Sequence, residues 1–571
     1  MFTPERPTSE NLLSIVRGIP LSAEPGLGAL TLPGYFREVT TRFAEREALV
    51  MYKPDGSVER WIYHELWERA MTVARALTAC GVGKDTRVGV LMTNRMEWVA
   101  SMFGVGLAGG VAVVLSTFST QPEFEYLLQA SAVSILLFER NVLKKDFGAM
   151  LHAMEPKIER AEPGHLASLK FPFLRRLAVL DEGGAGAVEA WRQFLDHGRA
   201  TSPTQIDARA AGVKPADPAA LFFSSGSTGK PKGILSAHRG VAIQCWRWAR
   251  MFGLGDDVRT LTANGFFWSG NFGMALGATL SCGGAIILQS TFDPEEALRL
   301  MEAERVTLPI AWPHQWAQLE AAPNWSTTDL SALRYIDHMT PLGRHPTVKF
   351  RYVEPKWAYG NTETFTISTA FPHNSSYEVT GDTHGEPLPG NTIKVVDPLT
   401  GAIQPRGIAG EIAVKGPTLM LGYIGVPIDE TLDESGFFAT GDGGYIDEKG
   451  RLVWQGRMND IIKTGGANVS PVEVDAELAG CPGVMRSITV GVPHETLGEL
   501  VVACVVTEEG RSLTETTVRD FLKQRLASYK VPRRVLFVEE TDLSLTGSAK
   551  VKTSALRELA AKRLGTISGS A

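Results

Sequence analysis

The sequence predicts an α/β chain: doubly wound sheets with a β-rich lobe make a large N-terminal domain, and a small α+β domain follows at the C-terminus. Three observations predict it. Apolar segments of strand length alternate with helix-period segments through the first 200 residues and again over about 220–350. Glycine-punctuated, β-rich sequence runs from roughly 385 to 455, and the last hundred residues carry a strand, strand, helix, strand order of their own. Strand alternating with helix implies a mostly parallel sheet covered on both faces. At 571 residues the chain exceeds what one core supports, and length suggests about three or four lobes.

Taken in order, Leu66, Ala70, Val73 and Leu77 recur at helical spacing, and 87–93 (RVGVLMT) is a short apolar run of strand length. The stretch 98–118 is nearly free of charge and about long enough to cross a bilayer. Gly109-Gly110 splits it into a helical half and a β-branched half, so it reads as buried helix, turn and buried strand. A helix over 121–130 and a strand over 133–139 follow. Near the C-terminus, 486–492 and 500–507 read as strands, 514–528 as an amphipathic helix and 534–539 as a strand.

Composition is that of a globular enzyme, with 44% hydrophobic and 21% charged residues. A net charge of -6 offers no basic surface for nucleic acid. Cys80, Cys245, Cys282, Cys481 and Cys504 are scattered and form no CxxC pair. That pattern argues against a disulfide framework or zinc site and suits a reducing cytoplasm. Residues 1–17 are polar and charged, unlike a secretory signal.

The most informative segment is 221–233, LFFSSGSTGKPKG. An apolar strand runs into seven consecutive Ser, Gly, Thr or Lys residues, then Pro231 and Lys232. Such a loop supplies the backbone N–H groups, hydroxyls and ammonium groups that a polyphosphate needs. The GxxxxGK[ST] spacing of a Walker A loop is absent, and Pro231 falls where its helix would propagate.

SSGSTGKPKG resembles the phosphate-binding signature of the adenylate-forming superfamily, which contains acyl-CoA synthetases, nonribosomal-peptide adenylation domains and beetle luciferases. Further segments fit in the family's order, over about residues 35 to 560. The resemblance implies that Ser224, Ser225, Gly226, Ser227, Thr228 and Lys232 bracket the ATP phosphates. Tyr359-Gly360-Asn361-Thr362-Glu363 resembles the YGxTE element, with Thr362 donating to the α-phosphate, Glu363 holding Mg²⁺, and Trp357, Ala358 and Tyr359 bordering the nucleotide. Thr440-Gly441-Asp442 resembles the TGD element, whose carboxylate is a natural bidentate acceptor for the ribose diol. In isolation an Asp-Gly pair also reads as a hairpin turn.

Residues 456–460 (GRMND) resemble the junction between a large domain, 1–457, and a small mobile lid, 458–571. Arg457 would meet ribose or phosphate and Asn459 would be the hinge. Lys463, Gly465 and Gly466 match the glycine loop that lines the coenzyme A tunnel in CoA ligases. Lys550, in LTGSAKV, matches the catalytic lysine that neutralises transition-state charge. Ser544 and Ala549 depart from the proline and glycine usual there.

The acyl pocket is expected from Phe267, Trp268, Asn271, Phe272, His338 and Met339. Trp268 stands where the family usually has a histidine. No aspartate is present nearby to pair with a substrate amine, which disfavours an α-amino acid. With Trp312 and Trp316, these residues suggest a bulky apolar carboxylate site. His238, beyond the phosphate loop, is expected to pack.

The resemblance thus implies an ATP- and Mg²⁺-dependent acid–thiol ligase that forms an acyl-AMP and passes the acyl group to coenzyme A. A carrier-protein thiol or other acceptor is the nearest rival, and a non-catalytic nucleotide-binding descendant is a rival of another class. The expected partners are small molecules, with no nucleic acid and no membrane span. The oligomeric state is open, a homodimer among the options.

Overall fold

The computed structural model describes residues 13–224, 231–355, 358–458, 460, 462–464, 467–494, 497–508, 510–526, 530–543 and 553–565. The chain forms two compact units. One comprises residues 17–392 with 414–438, and the other residues 1–16, 393–413 and 439–571.

The larger unit holds two sheets of the doubly wound kind. In the first, Val188–Ala190, Arg176–Val179, Ile135–Phe138, Arg87–Leu91, Val111–Val114 and Pro218–Ser224 run parallel, and Lys232–Ala237 and Gly422–Tyr423 complete one edge antiparallel. In the second, Leu308–Ile310, Arg259–Thr262, Ala285–Leu288 and Glu47–Tyr52 are parallel and Val58–Ile62 closes the edge antiparallel. Helices Tyr63–Ala79, Met96–Leu107 and His238–Phe252 pack into the principal core. The apolar stretch 98–118 resolves as expected into the buried helix Met96–Leu107, a turn, and the buried strand Val111–Val114. Among the described residues no helix is long and apolar enough to cross a membrane.

His238 packs, and does more. It is 1% exposed, and its Nδ1 accepts the N–H of Leu32 at 3.2 Å. Leu32 is the first residue of the helix Leu32–Arg42, whose leading N–H groups have no partner inside the helix. The ring must therefore be neutral at Nδ1. Burial pulls its pKa down from 6.5 to about 4, against a small opposing pull from Asp217. Between those values the unfolded chain binds the extra proton, so stability rises with pH across the window and is lost as pH falls from about 6.5 towards 4. The full effect is worth up to about 3 kcal/mol. Melting wild type and His238→Asn between pH 7 and 5 checks it. The wild-type melting temperature should fall more steeply than that of the variant, which keeps an acceptor that does not titrate.

The smaller unit holds a sheet ordered Ile15–Arg17, Thr392–Val396, Gly410–Lys415, Phe438–Ile446 and Leu452–Arg457, the last two pairing antiparallel, where the glycine-rich run predicts β structure. Its second sheet orders Ala467–Val469, Ile462–Thr464, Gly498–Thr507 and Val484–His494, with Arg534–Phe537 pairing parallel to Gly498–Thr507. Gly498–Thr507 is apolar on both faces because both are covered. Val501, Ala503 and Val505 face the helices Pro471–Leu478 and Glu515–Lys523, while Val502, Cys504 and Val506 face Thr553–Arg563. The helix expected over 514–528 ends at Lys523. Leu526, which continues its apolar period, packs on the same core from beyond the helix. All five cysteines are free thiols.

Candidate active site

The two strands that flank the Ser/Gly/Thr/Lys loop form a ladder. Pro218–Ser224 pairs antiparallel with Lys232–Ala237, and Ser224 stands opposite Lys232. Ser225, Gly226, Ser227 and Thr228 lie outside the described residues, as do Trp357, Asn459, Gly465, Gly466 and Lys550. Lys232 is exposed, and its Nζ sits 5.0 Å from the centroid of the Tyr423 ring. The Tyr423 hydroxyl donates to Glu363 Oε1 at 2.7 Å, and Met420 N–H donates to the Glu363 carbonyl at 2.7 Å. Loop exit, tyrosine and carboxylate thus form one cluster within the larger unit.

Glu363 is held there by a backbone of high energy. Thr362–Thr364 is a single 3-10 turn capped by the Asn361 side chain, and it ends in Phe365 at φ 48 and Thr366 at φ 90. Left-handed backbone is costly for a β-branched residue and persists only where its surroundings over-determine it. Here the helix His238–Phe252 does so. Gln244 Nε2 donates to the Ile367 carbonyl at 2.7 Å, and Trp248 Nε1 donates to Thr366 Oγ1 at 2.9 Å. Gly360 leaves room for the fold-back, since a Cβ there would lie 2.0 Å from the Thr366 carbonyl oxygen. Tyr359 is 5% exposed with its N–H bonded to the Thr369 carbonyl, and Ala358 packs on the apolar cluster that includes Trp248, Tyr352 and Ile367. Thr362 is half-buried.

In the smaller unit, Asp442 lies inside the strand Phe438–Ile446, which rules out the hairpin-turn alternative for this Asp-Gly pair. Its side chain is 5% exposed and Oδ1 receives Arg457 Nε at 3.1 Å across the strand pair, where the two residues are in register. Arg457 also donates to the Thr440 carbonyl at 2.9 Å. A buried carboxylate thus lies beside a half-exposed guanidinium, a pair that can accept from hydroxyl groups and donate to an anionic one. Lys463 is exposed on the strand Ile462–Thr464.

The six acyl-pocket candidates all belong to the larger unit. Phe267 is 5.2 Å from Trp268 and makes an edge contact with the exposed Phe118 at 5.6 Å. Asn271 is buried, donating to the Asn264 carbonyl and accepting from Thr262 Oγ1. Phe272 is fully buried against Phe222 and Phe365, where a π-type turn, Phe272–Gly277, begins. His338 shares the Tyr352 carbonyl between its backbone N–H and Nδ1, and Met339 is 59% exposed. Sequence reasoning missed Tyr423, Gln244 and Trp248. Only the aromatic in LGYIG hinted at the first.

A carboxylate tethered by a tyrosine beside a lysine, at the exit of a Ser/Gly/Thr/Lys-rich stretch on doubly wound sheets, is an arrangement suited to a nucleotide's phosphates and their counter-ion. The chain belongs to the AMP-binding enzyme family: that family's model matches residues 36–424, and the model of the AMP-binding enzyme C-terminal domain matches 473–550. It is 32% identical to feruloyl-CoA synthase of Amycolatopsis sp, over 87% of this chain and 93% of that one. A CoA ligase of Mycobacterium tuberculosis, named for a methyl-dioxo-octahydro-indenyl propanoyl group, is 31% identical over 90% of this chain and 98% of its own. Among solved structures, ATP-bound MatB of Rhodopseudomonas palustris superposes with a TM-score of 0.73 at 27% identity, covering 92% of this chain and 98% of that one.

Proposed function

We propose that this protein is an ATP-dependent acyl-CoA ligase for a hydrophobic, bulky carboxylic acid. What carries the reading is the cluster of Glu363, Tyr423 and Lys232 beside the phosphate-type loop. The carboxylate oxygen of the acid attacks the α-phosphorus of ATP in line and pyrophosphate leaves. The coenzyme A thiolate then attacks the acyl carbonyl and AMP leaves. Positioning and charge neutralisation do most of the work in such a step. Residues 224–228 and Lys232 grip the phosphates, Thr362 donates to the α-phosphate, and Lys550 neutralises charge as it builds. Asp442 and Arg457 take the ribose, and Trp357, Ala358 and Tyr359 border the nucleotide.

Glu363 suits Mg²⁺. A hard cation that keeps most of its water takes one protein carboxylate together with substrate phosphates, and the tyrosine bond fixes that carboxylate's orientation. Bound with ATP, the ion would supply Lewis-acid polarisation of the phosphoryl oxygens.

The large domain spans 1–457 in this reading and the lid 458–571, hinged at Asn459, with Lys463, Gly465 and Gly466 lining the thiol passage. Phe267, Trp268, Asn271, Phe272, His338 and Met339 shape the acyl site. The relatives named for feruloyl and indenyl-propanoyl groups support a ring-bearing acid. Five free cysteines support a cytoplasmic enzyme. Neither a nucleic acid nor a second copy of the chain enters the reading.

The test is pyrophosphate release and hydroxamate trapping over a panel of aromatic, fatty and polycyclic acids, with and without coenzyme A. Acid-dependent pyrophosphate and, with coenzyme A, AMP and a thioester are expected. Hydroxamate without thioester would move the acceptor elsewhere, and no hydroxamate from any acid would leave a nucleotide-binding descendant.

A further inference from the structure

Glu499 stands second in the strand Gly498–Thr507, and its carboxylate joins two other elements of the smaller unit. Oε2 accepts the backbone N–H of Lys463 at 2.8 Å, while Oε1 is ion-paired with Arg557. Lys463 belongs to the strand Ile462–Thr464, which pairs with Ala467–Val469 across residues 465 and 466. Arg557 belongs to the helix Thr553–Arg563, which begins three residues after Lys550. The registered backbone pairing between Ile462–Thr464 and Gly498–Thr507 is Thr464 with Gly498. The side chain thus adds a bond that the ladder does not supply.

Room for the carboxylate is made by a neighbouring residue. Gly491 and Glu499 share a face of the hairpin, because Gly491 stands opposite Val501 and Pro493 opposite Glu499. A Cβ on Gly491 would lie 2.9 Å from Glu499 Oε1, 3.0 Å from its Cδ and 3.1 Å from Ile462 Cγ2. A methyl group at 491 would crowd the carboxylate where it reaches Lys463 and push it aside. The glutamate side chain is 19% exposed. Its partial burial is tolerated because one oxygen meets a guanidinium and the other an N–H.

We propose that Glu499 is a positioning residue for thioester formation, fixing the backbone of Lys463 and taking no part in adenylation. The inference rests on the reading of Lys463 as part of the thiol passage. Arg557 holds the carboxylate in place, and Gly491 keeps its path open.

The experiment uses the full chain with an acid that the wild type activates. It compares Glu499→Ala, Glu499→Gln and Gly491→Ala by hydroxamate formation, by KM and kcat for coenzyme A, and by hydrogen exchange at the Lys463 amide. Glu499→Ala should raise the coenzyme A KM about tenfold or more while hydroxamate formation stays within about twofold, since small misplacements cost that much or more. The Lys463 amide should exchange faster in the same variant. Glu499→Gln keeps an acceptor for that amide and should retain most of the affinity for coenzyme A. Gly491→Ala displaces the carboxylate with Glu499 intact and should reproduce the alanine defect, and the double variant should add little to it.

An unchanged coenzyme A KM, or an equal fall in both half-reactions, overturns the proposal. A wild type that forms hydroxamate but no thioester overturns the acceptor reading alone. Faster Lys463 exchange in Glu499→Ala then still supports the anchor, and unchanged exchange overturns it.

Discussion

Glu363→Gln should slow acid-dependent pyrophosphate release roughly a hundred- to thousand-fold, the range seen when one preorganised charge-stabilising group is lost. The substitution is close to isosteric, and the amide oxygen can still accept from the Tyr423 hydroxyl at the position now 2.7 Å away. What disappears is the negative charge that a divalent cation needs. The loss should therefore fall on kcat and on the magnesium dependence, with the melting temperature nearly unchanged. Tyr423→Phe, which frees the carboxylate but keeps its charge, should cost far less. A Glu363→Gln enzyme of wild-type rate across a magnesium titration would remove Glu363 from the site.

Gly360→Ala should damage the larger unit severely for a single methyl group. The added carbon would sit 2.0 Å from the Thr366 carbonyl oxygen and 2.6 Å from the Ile367 Cα, both backbone atoms that cannot rotate away. Relief requires moving the strand-like exit of the turn, and that turn already carries Phe365 and Thr366 at positive φ. Overpacking against such a segment costs about 3 kcal/mol or more. Thermal unfolding and hydroxamate formation measure the two ways the strain is released. Either the unit melts earlier, or the turn lets go of Gln244 and Trp248 and the variant stays folded without activity. Wild-type values in both assays would show that Gly360 is not needed for the fold-back.

The large-scale architecture was legible because it rests on periodicity. Leu66, Ala70, Val73 and Leu77 are buried along one helix, and the split of 98–118 at Gly109-Gly110 follows from the change of apolar pattern. Asp442 was legible through its motif, yet only the strand around it separates a carboxylate paired with Arg457 from one in a hairpin turn. The supports of the site were not legible. Tyr423 reaches Glu363 across 60 positions and Trp248 reaches Thr366 across 118. A tyrosine or tryptophan in an apolar run gives no sign of which polar group its hydroxyl or N–H will meet. Glu499 was hidden in the same way, since the glycine that makes room for it lies in the other strand of the hairpin.

One helix has a consequence for how acid would inactivate the enzyme. His238–Phe252 starts at the proton-sensitive junction with Leu32 and carries Gln244 and Trp248 one to three turns further on, along a rod about 22 Å long. Protonating the ring at its first residue loosens the foundation of the same beam from which the turn carrying Glu363 hangs. Loss of turnover and loss of structure on acidification should then share a single midpoint rather than two.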